Sequence, residues 1–176
     1  MDFARLTRHV FASSSCGVCG LASIEAVHKS FSPVESNLKV QAKLLLDLPA
    51  KLRAAQPAFD RTGGLHGAGL FSAKGEPVVI REDIGRHNAV DKVLGHALFN
   101  GLIPLHDHLL IVSGRASFEV VQKASAAGVA VIASVSAASS LAVDLARASG
   151  ITLCGFARGG SMTVYSHAER IRLENP

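Results

Sequence analysis

The chain has no tryptophan and one tyrosine, and only 18% of its 176 residues are charged. No Lys/Arg run and no basic helix interleaved with aromatics occurs, so the pattern of a nucleic-acid binder is missing. No apolar run approaches the roughly 20 residues that span a bilayer. The start, Met1-Asp2-Phe3-Ala4-Arg5, lacks the apolar core of a signal peptide. Three cysteines, two of them in one Cys-x-x-Cys and the third isolated, do not make a disulfide framework. These absences predict a cytoplasmic protein that engages neither membrane nor nucleic acid.

What is abundant is small and apolar. Hydrophobic residues make up 48% of the chain, with Ala, Gly and Ser frequent, which suits helices packed closely on a sheet. The length fits one well-buried domain, 1–176. The net charge of +4 is spread along the chain and favours anionic small ligands or acidic partner surfaces.

The stretch Ser13-Ser14-Ser15-Cys16-Gly17-Val18-Cys19-Gly20 runs into Leu21, Ile24, Val27 or His28, and Phe31, the apolar stripe of a helix. Thiols at a helix start meet unpaired N–H groups and the positive end of the dipole, which stabilise a thiolate. Cys16 is the candidate nucleophile. Spacing alone leaves three readings open: redox or sulfur chemistry, half of a zinc site, or two small buried residues.

Further on, Ser32-Pro33 breaks the pattern, 38–41 alternates, and Asp47 is expected to cap a short helix with Pro49 in its first turn, ending before Pro57. The glycine-rich 62–69 is expected to lie close to some other group. Residues 70–73 and 78–80 read as a hairpin across Lys74-Gly75-Glu76-Pro77, delivering 81–88 onto a helix that carries Ala89, Val90, Val93, Leu94 and Leu98. From there strands (109–112, 129–133) alternate with helices (117–127, 139–149) closed by Gly128 and Gly150. A final hairpin, 151–156 and 162–165, turns through Arg158-Gly159-Gly160. The expected fold is α/β, a mixed sheet with helices on both faces in three layers.

In such a sheet the loops beyond the strand carboxyl ends form the ligand crevice. Three are rich in glycine and arginine: Gly85-Arg86-His87-Asn88, Ser113-Gly114-Arg115 and Arg158-Gly159-Gly160. Backbone N–H groups beside a guanidinium suit a phosphate. His66 and His87 stand beside glycine at element junctions and join the candidates. Cys154, within an apolar strand, reads as an inert core residue. Glu82 and Asp83 are expected to pair with Arg86 or cap the following helix. A zinc deaminase shares the inventory, but its His-x-Glu and Pro-Cys-x-x-Cys are missing. A thioredoxin-like reductase lacks its βαβ context before Cys16.

In order, Cys16-Gly17-Val18-Cys19-Gly20, Thr62-Gly63-Gly64-Leu65-His66, the segment from Glu82-Asp83-Ile84-Gly85-Arg86-His87-Asn88 to Ala89-Val90-Asp91-Lys92, Ser113-Gly114-Arg115 and Gly155-Phe156-Ala157-Arg158 resemble the formate dehydrogenase accessory sulfurtransferase family, FdhD. The likeness runs from Cys16 to Arg170. Family members usually carry a further β-rich N-terminal domain, so the expectation is a single α/β sulfurtransferase domain without it. The resemblance implies a cytidine-deaminase-like fold that has lost deaminase chemistry, and a cytoplasmic homodimer. It implies that sulfur from a cysteine desulfurase is carried as a persulfide on Cys16, with Cys19 as a relay or resolving thiol. Delivery would be to the molybdenum or tungsten bis(molybdopterin guanine dinucleotide) cofactor for the formate dehydrogenase catalytic subunit, with GDP as a mimic and no resident metal. The family's cofactor loop falls on Phe156, Ala157, Arg158, Gly159, Gly160 and Ser161. Gly64, His66, Gly85, Arg86, His87, Asn88, Ser113, Gly114 and Arg115 are assigned to the same site from their loops. The competing class is a cofactor-binding chaperone that transfers no sulfur and whose cysteines are structural or zinc-bound.

Overall fold

The computed structural model describes residues 32–173. The first predicted helix lies outside them, as do Cys16 and Cys19.

The unbroken apolar runs become the middle of the sheet. Strands β4 (His108–Val112) and β5 (Val131–Ser134) pair in parallel, and Leu109, Leu110, Ile111, Val131, Ile132 and Ala133 are all fully buried. Neighbours in the run point to opposite sides, so both faces here are covered. Helix α4 (Phe118–Ala126) links these strands, and α5 (Ser140–Ala148) links β5 to β6 (Thr152–Arg158), again in parallel. Both helices are followed by a left-handed glycine, Gly128 at φ 75 and Gly150 at φ 69, as the sequence predicts. β7 (Ser161–Ser166) returns antiparallel to β6.

On the other flank β2 (His66–Ser72) runs antiparallel to both β4 and β3 (Pro77–Asp83), and α3 (Arg86–Phe99) follows β3. The sheet order β3-β2-β4-β5-β6-β7 is therefore mixed. A small parallel pair, β1 (Val40–Gln41) with β8 (Ile171–Arg172), stands apart from it.

Two expectations are corrected. Helix α1 spans Ala42–Ala54, takes in Leu44-Leu45-Leu46 and holds Pro49 in its interior, so Asp47 caps nothing. Burial explains this: Leu45, Leu48 and Leu52 form one apolar stripe, and their burial outweighs the amide bond that Pro49 cannot donate. The strand expected over 70–73 starts earlier, at His66, and takes in the end of the glycine-rich stretch as β2, buried from Gly67 to Phe71. Close approach does occur. A Cβ on Gly67 would stand 2.6 Å from the Gln56 carboxamide carbon, and one on Gly69 would stand 3.3 Å from Leu52. The glycines let α1 and the following segment lie against the strand.

Candidate functional site

Because β2 is antiparallel to β4, its first residue sits at the edge where β4 ends; Ala68 pairs with Val112 and His66 with Asp83. The loops after β3, β4 and β5 open on this edge, so the predicted crevice residues converge from separate parts of the chain.

Gly114 is the meeting point. A Cβ there would stand 3.3 Å from His66 Nδ1 and 3.5 Å from Arg86 Cδ. The loop is fixed from both sides. Gly67 N donates to Ser113 Oγ at 2.8 Å, Ser113 N donates to Gly67 O at 2.9 Å, and Ser134 Oγ donates to Gly114 O at 2.7 Å. Arg86 is half-buried, its Nε is buried without a partner, and its guanidinium has no hydrogen bond or ion pair among the described residues. Arg115 is exposed.

His87 turns to helix α4. Its Nε2 lies 2.9 Å from Ser117 Oγ, and its Nδ1 lies 3.0 Å from the buried Glu119 carboxylate. Burial holds the imidazole below its usual titration range; the Glu119 charge opposes this, while Arg86 and Lys123 reinforce it. Lys123 bridges Glu119 at 3.4 Å and Asp91 at 2.6 Å, tying α3 to α4. Spacing offers no signal for Ser117 or Glu119.

The two carboxylates before α3 avoid Arg86. Asp83 lies 2.6 Å from Lys92 Nζ and accepts from Gly85 N at 2.9 Å and from Asn88 Nδ2 at 3.1 Å. The Lys92 contact, with the other two bonds, pulls its pKa down to about 2. Asp83 thus holds Gly85 and the Asn88 side chain at the start of α3, which has no side-chain cap of its own, so the expected cap by Asp83 is not formed. Glu82 instead accepts from Ala58 N at 2.9 Å and Phe59 N at 2.7 Å. It caps an earlier helix, α2 (Pro57–Thr62), because the β2–β3 hairpin brings it there.

The β6–β7 tip extends beyond the same edge of the sheet, where Phe156 N donates to Ser136 O at 3.0 Å in the loop after β5. β6 pairs with β5 only as far as Cys154, so Phe156 to Arg158 continue past the neighbouring strand. Arg158 is paired with Ser161 rather than in the turn; Gly159 and Gly160 make the turn, both with positive φ (60 and 79). Arg158, Gly159, Gly160 and Ser161 are exposed, Ala157 is fully buried, and Phe156 is 40% exposed at φ 53. Cys154 is fully buried, and burial pushes its thiol up to about 12, as an inert core residue requires.

A cavity of about 470 Å³ opens beside His66, between the α1–α2 segment and the ends of β2 and β4. Its walls include Leu52, Phe59, Leu65 and Val135; Arg53, Gln56, His66 and Ser113 supply polar atoms. Gly64 also lines it. Gln56, between two helices in Ala55-Gln56-Pro57, carries no sequence signal that singles it out. Among the described residues no group of three or more His, Cys, Asp or Glu is placed to hold a metal, and no helix is long and apolar enough to cross a membrane.

The FdhD/NarQ family model matches residues 2–172. The chain is 56% identical over 171 residues to "Sulfur carrier protein FdhD" of Streptomyces coelicolor, covering 96% of this chain and 61% of that protein. It is 56% identical over 168 residues to the protein of the same name in Mycobacterium tuberculosis, covering 94% and 61%. It therefore spans about three fifths of the length of the curated relatives it matches. A crystal structure from Desulfotalea psychrophila, described as a formate dehydrogenase accessory protein, superposes with a TM-score of 0.75 at 32% identity, over 83% of this chain and 62% of that one. Motif order, mixed sheet and these likenesses agree: the chain belongs to the FdhD/NarQ family.

Proposed function

We propose that this protein is a sulfur carrier in the maturation of formate dehydrogenase. The observation that carries the reading is 56% identity with proteins named sulfur carrier, in a family match that begins at residue 2 and so includes Cys16 and Cys19. The Cys16 thiolate attacks the outer sulfur of a desulfurase persulfide. The S–S bond to the desulfurase breaks, its cysteine leaves as thiolate, and Cys16 retains the sulfane sulfur. Cys19 stands ready as the relay thiol. The substrate that receives the sulfur is the molybdenum or tungsten bis(molybdopterin guanine dinucleotide) cofactor, destined for the catalytic subunit of formate dehydrogenase. Its phosphates call for cations without carboxylate partners, and Arg86 at the crevice and exposed Arg115 and Arg158 at the same edge supply that chemistry.

The cytidine-deaminase-like, three-layer arrangement belongs to the same reading, supported by β4 and β5 being covered on both faces. So do a cytoplasmic location and a homodimer. The test is complementation. In cells without their own accessory protein, the wild-type chain restores formate dehydrogenase activity and Cys16→Ala does not, though it is made and folded. Full activity with Cys16→Ala would refute the assignment of the sulfur to Cys16.

A further inference from the structure

Helices α4 and α5 each start on a serine, and the two serines behave differently. Ser139, before α5, accepts from Ala142 N at 3.2 Å, the ordinary use of that position. The Ser117 side chain, before α4, caps nothing; its Oγ lies 2.9 Å from His87 Nε2. The other ring nitrogen, Nδ1, lies 3.0 Å from Glu119 Oε2, which is buried and meets no other hydrogen-bond donor among the described residues. With the ring proton on Nδ1, Nε2 is left to accept from the Ser117 hydroxyl. Burial favours this neutral ring. Hydroxyl, imidazole and carboxylate therefore stand in the order that makes a serine nucleophilic. Helix capping is forgone for it, and a structural contact between His87 and Glu119 would not require that.

We propose that Ser117, His87 and Glu119 form an acyl-transfer centre that hydrolyses a carboxylic ester or thioester carrying a negative charge. The Ser117 oxygen attacks the carbonyl carbon, and its proton passes to His87 Nε2. The carbon then expels the alcohol or thiol, which takes that proton, and the acyl group stays on Ser117 as an ester. Water attacks this ester, its proton passes through Nε2 to the departing Ser117 oxygen, and the carboxylic acid is released. Glu119 is a positioning residue that holds the ring and stabilises its charged form. The amides of Glu119 and Val120, in the first turn of α4, have no acceptor among the described residues. They stand where a capping oxygen would be received, so an oxyanion formed beside Ser117 Oγ finds donors already in place. Arg86 precedes His87 in the chain, its charge reaches the ring, and its guanidinium has no carboxylate partner among the described residues, which favours an anionic substrate. The reaction uses neither Cys16 nor Cys19 and does not depend on sulfur transfer.

The test uses the 176-residue chain with Cys16→Ala and Cys19→Ala, so that neither thiol competes as nucleophile. A fluorophosphonate probe becomes bonded to Ser117, read by mass on its peptide, and the p-nitrophenyl monoester of succinate is hydrolysed faster than p-nitrophenyl acetate. Ser117→Ala, whose hydroxyl caps no amide, keeps the fold and loses both labelling and turnover. His87→Gln lowers kcat about a hundredfold or more. Glu119→Gln lowers kcat by a similar factor, about a hundredfold, with KM unchanged; a purely structural role would lower the melting temperature and leave the kcat of the folded fraction alone. Arg86→Gln narrows the preference for the succinate ester about tenfold. No probe on Ser117, labelling as fast in His87→Gln as in the parent, or turnover that survives Ser117→Ala would each overturn the proposal. Persulfide loading of Cys16 in the single variant Ser117→Ala is read separately by mass, so the sulfur-carrier reading stands or falls by itself.

Discussion

Replacing Glu82 with Ala removes the carboxylate that receives the first free amides of α2. Two hydrogen bonds to a charged acceptor are lost, at 2.7 and 2.9 Å, and the helix they start is only six residues long, too short to hold itself together. The carboxylate is half-buried, so water compensates in part and the net loss is about 2 kcal/mol. For a chain of this size that lowers the melting temperature by about 4–8 °C. Glu82→Gln keeps a neutral acceptor and recovers about half of the loss. Hydrogen exchange locates the effect: the amides of Ala58 and Phe59 lose protection, while those of Leu110 and Ile111 do not until the whole domain unfolds. An unchanged melting temperature with both α2 amides still protected would refute the capping role.

Asp83 titrates near 2 against an ordinary 3.8, so the folded protein binds this proton less readily than the unfolded chain. Its stabilisation is full above about pH 4 and is lost as the pH falls toward 2. Urea melts across that window should show a shallower acid slope for Asp83→Asn, and an identical slope would contradict the Lys92 contact as cause. Cys154, with its thiol pushed up to about 12, should react with iodoacetamide only after unfolding; labelling in the native protein would mean the β6 core opens. Arg158→Ala should weaken GDP binding about tenfold, as one lost charged hydrogen bond, and leave persulfide loading on Cys16 intact. Loss of neither would remove Arg158 from the cofactor site.

The part of the fold from β4 to β7 was legible because its signals are local and agree. Runs such as Leu109-Leu110-Ile111-Val112 are buried on both faces, and Gly128 and Gly150 close helices with a conformation that suits glycine. The first half was harder to read because its determinants are distant in sequence. Pro49 argues against a continuous helix, and only the burial of Leu45, Leu48 and Leu52 shows why one forms. The glycines at the start of β2 hide the strand's true beginning, and the absence of Cβ is explained only once Gln56 and Leu52 are seen against the strand. Glu82 is adjacent to Asp83 but caps a helix 23 and 24 residues earlier, which no spacing rule anticipates. For the site, the carboxyl-edge rule brought out Arg86 and Gly114, and the glycine beside it at an element junction brought out His66; the chain brings the three together. That rule was silent on Ser117 and Glu119, which occupy the ring nitrogens of His87.

The central claim, sulfur carriage on Cys16, is tested most directly by mass. The protein is incubated with a cysteine desulfurase and cysteine, then digested without reductant, and the peptides are weighed. The account predicts a gain of one sulfur atom on the Cys16 peptide of the wild-type protein, and no such gain in Cys16→Ala. A protein that gains no sulfur and instead carries stoichiometric zinc would contradict it and establish the cysteines as structural.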